Sequence, residues 1–177
     1  VWNVYKESDS GAGDIEITGG DITAIGSIDG GAGIGSGEWA TGKTNITIKG
    51  SAKIKAQTEQ GGAGIGSGYE STGQTTINIE GGTIETAQGG SGGAGIGGGQ
   101  KSTGQTTVTI KDGTIKEALG GNLGDGIGGG SDSTNITVNI EGGRIETAQG
   151  GKGDKFHDAG DGIHSNGKIE IKGTIET

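Results

Sequence analysis

The chain has no cysteine, no proline and no methionine. Missing cysteine is compatible with an extracellular bacterial protein. Missing proline counts against disorder, because disordered chains are usually enriched in it. Without methionine there is no initiator, and no secretory leader is visible, so the sequence is expected to be a mature or trimmed piece of a longer surface protein. Basic residues are too few for a nucleic-acid partner: the net charge is −9, and phosphate binding needs clustered Lys or Arg. No apolar run approaches the ~20 residues that span a bilayer. Aromatics number only five, and with abundant Thr, Asn and Gln this composition fits a secreted surface. Aliphatics plus Phe make up less than a fifth of the chain, which by itself hints at disorder. The strict spacing of the isoleucines opposes that reading, because a repeat that buries one ladder needs few apolar residues per unit.

What is present in excess is glycine, 46 residues of 177, without the every-third spacing of collagen. The phrase Gly62-Ala63-Gly64-Ile65-Gly66-Ser67-Gly68 returns from Gly31 to Gly37 and from Gly93 to Gly99. A weaker copy is Asp125-Gly126-Ile127-Gly128-Gly129-Gly130, and a remnant is Asp161-Gly162-Ile163. In an extended chain successive side chains point to opposite faces. One face of this segment then carries Ala, Ile and Ser or Gly, and the other is expected to be bare backbone.

Two further series share the period. Ile15/Ile17, Ile46/Ile48, Ile77/Ile79, Val108/Ile110, Val138/Ile140 and Ile169/Ile171 step by 31, 31, 31, 30 and 31 residues. Ile22, Ile54, Ile84, Ile115, Ile145 and Ile175 form the second series, after corners such as Gly81-Gly82 and Gly142-Gly143. The glycine phrase supplies the third, and only its last step, 36 residues, breaks the pattern. Three short strands per unit, stacked, predict an all-β right-handed parallel β-helix with one coil per ~31 residues. The expected layout is a single solenoid domain over 1–177, with a strand or cap over 1–13 and five to six coils over 14–177. At ~4.8 Å per coil the rod would be roughly 25–30 Å long. Lys49, Glu80, Lys111, Glu141 and Lys172 alternate in sign at one equivalent outward position, as stacked neighbours should.

Each glycine phrase is followed by a polar loop, and loops of one kind line one side of a solenoid, where binding often occurs. Trp39 and Tyr69 lie in two successive loops. As an exposed pair they could stack on sugar rings; alternatively they fold back over the rim of the core. The last unit inserts six residues around Lys152–Ala159. Asp154, Asp158 and Asp161 cluster there, and by register Asp125 should sit directly beside Asp161. Two such carboxylates either bind a cation or raise one another's pKa. Oxygen-rich surroundings suit Ca²⁺ better than Zn²⁺, so Asp125, Asp154, Asp158 and Asp161 are the candidate metal ligands. His157 and His164 read as solvated loop residues, with a metal-binding pair as the alternative. Asn45-Ile46-Thr47 and Asn135-Ile136-Thr137 fit a glycosylation sequon but are read as strand residues.

The segment Asp161-Gly162-Ile163-His164-Ser165-Asn166-Gly167-Lys168-Ile169-Glu170-Ile171-Lys172-Gly173 resembles a recurrent motif of a bacterial extracellular carbohydrate-binding β-helix family, pectate-lyase-like and of the clostridial cellulose- and pectin-binding type. The Gly-Ala-Gly-Ile-Gly-Gly-Gly phrase is similar to repeats of large surface proteins of Gram-positive gut bacteria. The resemblance implies calcium and non-catalytic binding of acidic plant polysaccharide, with Asp125, Asp161 and His164 at the matching positions and His164 a ligand-binding candidate beside Trp39 and Tyr69. Ala32, Ala63 and Ala94 stand where that motif has Asp. The expected function is thus a cell-surface, adhesin-like carbohydrate-binding module. The alternative is a structural stalk or self-association module that uses the glycine face. A lyase or hydrolase is disfavoured, because the single arginine, Arg144, has no acidic cluster obviously opposite it. Ice binding through outward Thr76, Asn78, Thr107, Thr109, Thr137 and Asn139 is set lower still, because a Lys/Glu column is expected to interrupt that face.

Overall fold

The isoleucine periodicity produces the stack it implies. A computed structural model describes residues 13–155, 157–165, 170–171 and 174–175. The expected cap over 1–13, apart from Gly13, and Lys172 lie outside the described residues. No helix occurs among them, and none is long and apolar enough to cross a membrane. Every strand pairing is parallel, and partners are separated by one coil, as in Ile46↔Ile77 and Ile65↔Ile96. Hydrogen-bonded side chains on adjacent coils lie 31 residues apart, for example Gln74 and Gln105. The chain is a parallel β-solenoid.

The first face is built from Gly13–Ile17, Thr44–Ile48, Ile136–Ile140, Glu170–Ile171 and the opening halves of Thr75–Gln88 and Thr106–Leu119. The second comprises Asp21–Ile25, Lys53–Gln57, Arg144–Gln149, Thr174–Ile175 and the closing halves of those two long strands. The long strands run unbroken through the corner, so both faces form one hydrogen-bonded sheet. Gly82 turns that corner at φ 79°, a backbone conformation costly for any residue with a Cβ. The third face is thinner than expected: four pairs, Ile34–Gly35, Ile65–Gly66, Ile96–Gly97 and Ile127–Gly128.

All three ladders meet at the axis. Ile46, Ile54, Ile65, Ile77, Ile84, Ile96, Ile115, Ile127 and Ile145 are fully buried. Burying one such side chain contributes ~1.5–3 kcal/mol, and a coil orders too many residues to stand on its own few, so the coils stabilise one another. At the first coil Ile15, Ile17 and Ile22 are only partly covered, and Ile25 and Ile28 are exposed.

The glycine face is not open. Gly62, Gly64, Gly66 and Gly68 are all buried. Gly66 has φ 143°, and a Cβ there would lie 1.9 Å from the carbonyl oxygen of Gly97 on the next coil. Glycine is needed because adjacent backbones press together within the stack, which removes the surface that self-association through this face would use.

The outward charges also differ in detail. Lys111 pairs with Glu80 at 2.9 Å, and its hydrogen bond holds the Glu80 carboxyl below the usual carboxylate range. Lys49 reaches back to Glu16 at 3.1 Å. These pairs are solvent-exposed and screened, so Lys111→Ala should leave the thermal midpoint unchanged within repeat error; a clear drop would show the column to be structural. The column lies at the corner that closes the first face, where Glu80 and Lys111 sit inside the two long strands and the register shifts so that Glu80 pairs with Asp112. Between it and the opposite edge run two outward columns in register, uncharged over four coils: Asn45, Thr76, Thr107, Thr137, and Thr47, Asn78, Thr109, Asn139. Asp14 and Glu16 precede them in the first coil, and Glu170 follows Asn139 in the last.

Candidate functional site

The polar loops stack into one edge. Trp39, Glu70, Lys101 and Asp132 occupy the same place in successive loops, each at positive φ between 50° and 57°. The backbone fixes this register: Trp39 N–H donates to Tyr69 O, Glu70 N–H to Gln100 O, and Lys101 N–H to Ser131 O. Trp39 therefore stacks on Glu70, one position away from the expected pairing with Tyr69. Its indole N–H donates to a Glu70 carboxylate oxygen at 3.1 Å, and the side chain stays 62% exposed. Tyr69 is half-buried and folds back over the rim, close enough that a Cβ at Gly61 would lie 2.7 Å from its ring. Lys101 lies 3.4 Å from the Tyr69 hydroxyl and 5.7 Å from the ring centroid. Hydrogen bonds from Tyr69 and then Trp39, with Lys101 nearby, hold the Glu70 carboxyl below the usual range. The two aromatics thus do not form one exposed pair: Trp39 faces solvent, and Tyr69 braces the charges beneath it.

The edge ends at a cavity of about 280 Å³ between the last loop and the insertion. Asp125, Ser131, Asp132, Ser133, His157, Asp158, Asp161 and His164 line it. Asp125 replaces the Ala of earlier coils, is 8% exposed, and stacks on Asp161 as its register requires. Its Oδ1 accepts Asp161 N–H at 2.8 Å and its Oδ2 accepts Gly129 N–H at 2.7 Å. In the preceding coil the equivalent donor, Gly98 N–H, pairs with Gly128 O of the next coil. Where the insertion shifts the path of the last coil, the Asp125 carboxylate takes over as acceptor. Burial, with the Asp161 charge adding a smaller part, pushes its pKa up; the two backbone N–H groups and His164 pull the other way.

The structure brings Asp125, Asp161 and His164 together, with ligand atoms within 4.8 Å of one another and His164 Nδ1 2.9 Å from Asp161 Oδ2. Asp158 lines the cavity without joining this group. Asp154 is absent from both, and its carboxylate takes the backbone N–H and ring of His157 at 2.9 and 3.0 Å. Calcium prefers about 6–8 oxygen ligands, whereas this group offers two carboxylates, one already engaged by backbone N–H groups, and an imidazole nitrogen. On its own this group supplies too few oxygens for a calcium shell. Asp132, Ser131 and Ser133 are cavity residues that the sequence placed only in a polar loop, and His157 entered only as half of an alternative metal pair. The signal for Asp132 was available, since it shares the register of Trp39.

Known proteins enter at one level. The beta helix repeat family matches residues 15–38, 46–69, 77–100 and 108–131, which together make up more than half of the chain. Each match runs from a first-face strand into the loop that carries the edge just described. Neither the curated proteins nor the solved structures include a match to the chain.

Proposed function

The chain belongs to the beta helix repeat family, and from that premise we propose a non-catalytic carbohydrate-binding module of a bacterial cell surface. The fold suits a binding or structural module. The observation that carries the finer reading is the continuous loop edge, which has a 62%-exposed indole at one end and a polar cavity at the other. An indole face suits the C–H face of a sugar ring, and the carboxylates, serines and histidines of the cavity suit its hydroxyls. Asp132 belongs to both edge and cavity, so a chain of several sugars can follow the edge across four coils, roughly 14 Å. Asp125, Asp132, Asp158 and Asp161 in one cavity repel uronates, which favours a neutral glycan over the acidic polysaccharide that the motif resemblance implies. Arg144 lies on the second face, paired with Glu146 and outside the cavity, which supports binding without cleavage.

Titration of immobilised neutral and acidic polysaccharides tests this reading. Binding to a neutral glycan is expected, and Trp39→Ala should weaken it at least about fivefold, the loss of an aromatic anchor worth more than ~1 kcal/mol. The thermal midpoint should stay put, because Trp39 is not part of the core. No binding to any glycan, or binding indifferent to Trp39→Ala, would overturn the proposal.

A further inference from the structure

Many outward groups among the described residues pair with one another. On the second face Lys116 pairs with Glu85 at 2.9 Å, Thr86 donates to Glu117 at 3.2 Å, and Arg144 pairs with Glu146. On the loop edge Trp39, Glu70 and Lys101 do the same. The two central columns of the first face differ. Among the described residues, the side chains of Thr76, Asn78, Thr107, Thr109, Thr137 and Asn139 make no hydrogen bond with the rest of the protein. Their donors and acceptors all face outward.

These groups form a regular grid, uncharged over the middle coils and ended by Asp14 and Glu16 in the first coil and by Glu170 in the last. Rows repeat at the coil spacing of ~4.8 Å, and the two residues of a row stand ~6.6 Å apart along the strand. Threonine is stiff at χ1, and its neighbours in the column are held by the same ladder, so the grid costs little further ordering. A hydroxyl both donates and accepts, as does a carboxamide. The Lys/Glu column expected to break this face borders its middle rows instead, and Lys49 reaches from it to Glu16, in the Thr47 column, at the first coil.

A partner for such a surface must be flat, periodic and uncharged, and must offer donors and acceptors in equal measure. A polyanion or polycation gains nothing from a neutral grid whose border alternates in sign. A flexible soluble glycan has no fixed two-dimensional repeat to match. A lattice of water satisfies every condition, since each of its oxygens donates and accepts and its layers repeat in two dimensions. We propose that the first face binds ice, with water ordered between the threonine and asparagine rows joining the protein to the crystal.

The test is thermal hysteresis and ice-recrystallisation inhibition by the purified chain, with Thr107→Tyr and Asn78→Lys as variants on the face and Lys116→Ala as a control on the second face. The wild type and Lys116→Ala should separate melting from freezing and shape the crystals. Both face variants should lose that activity while keeping the wild-type circular dichroism and melt. If the wild type shows neither hysteresis nor recrystallisation inhibition, or if well-folded Thr107→Tyr and Asn78→Lys retain full activity, the proposal is overturned. Glycan binding at the loop edge is a separate readout and does not bear on either outcome.

Discussion

Gly66→Ala is expected to lower stability by about 3 kcal/mol or more in urea denaturation followed by circular dichroism. Two costs combine. The residue sits at φ 143°, outside the conformations an L side chain prefers, which costs ~1–3 kcal/mol. Its new Cβ would stand 1.9 Å from Gly97 O and 2.8 Å from Gly97 C. Overpacking usually costs ~1–3 kcal/mol, and here the clash is with backbone, so no rotamer change relieves it. Relief would require separating two coils, which would also break pairings such as Ile65↔Ile96. Against a typical total of ~5–15 kcal/mol, this is a large share. Gly37→Ala is the matched control. It belongs to the same glycine phrase one coil earlier, yet a Cβ there meets nothing within 4 Å. It should be neutral, or stabilising by up to ~1 kcal/mol through the unfolded chain. Equal losses at both positions would show that glycine is needed for something other than the approach of the next coil.

That contrast marks how far the sequence could be read. Period-2 alternation inside a period of ~31 placed the isoleucine ladders, because only one register puts Ile46, Ile77 and Ile110 inside together. The same counting stacked Asp125 on Asp161, which the structure bears out. Counting also contained the loop register that was misjudged. Trp39 lies five residues after Ile34, whereas Tyr69 lies four after Ile65, so Trp39 and Glu70 are the true neighbours. Alternation shows which positions lack a Cβ but not what presses against them, so the buried glycines looked like an open face. The cavity depends on the insertion packing against Ser131–Ser133, a contact made by one loop alone, and periodicity carries no information about a segment that occurs once.

Asp125 is such a singular residue, and removing its carboxylate should loosen the last coil without touching the clean ones. Asp125→Ala leaves Gly129 N–H and Asp161 N–H without their acceptors. A buried donor left unmet costs ~1–3 kcal/mol, so a local loss of about 2–4 kcal/mol is expected. Because stability in a stack is carried by nearest neighbours, amide exchange should accelerate at Gly129 and Asp161–Ser165 and stay slow at Ile65 and Ile96. Uniform acceleration would mean that the solenoid opens as one unit. Asp125→Asn separates the charge from the hydrogen bonds, and the sign follows from burial. The folded-state pKa of Asp125 is raised above its ordinary value of 3.8. Stability contributed by the neutral carboxyl is therefore fully present below that ordinary value and is lost as pH rises through the folded-state value. Once ionised, the wild-type side chain is a partly desolvated anion that the asparagine variant lacks. Urea denaturation at pH 3 and pH 7 should show the stability of wild type relative to Asp125→Asn falling with rising pH. A rise would mean that the two N–H groups and His164 outweigh burial, leaving the anion as the favoured form in the fold.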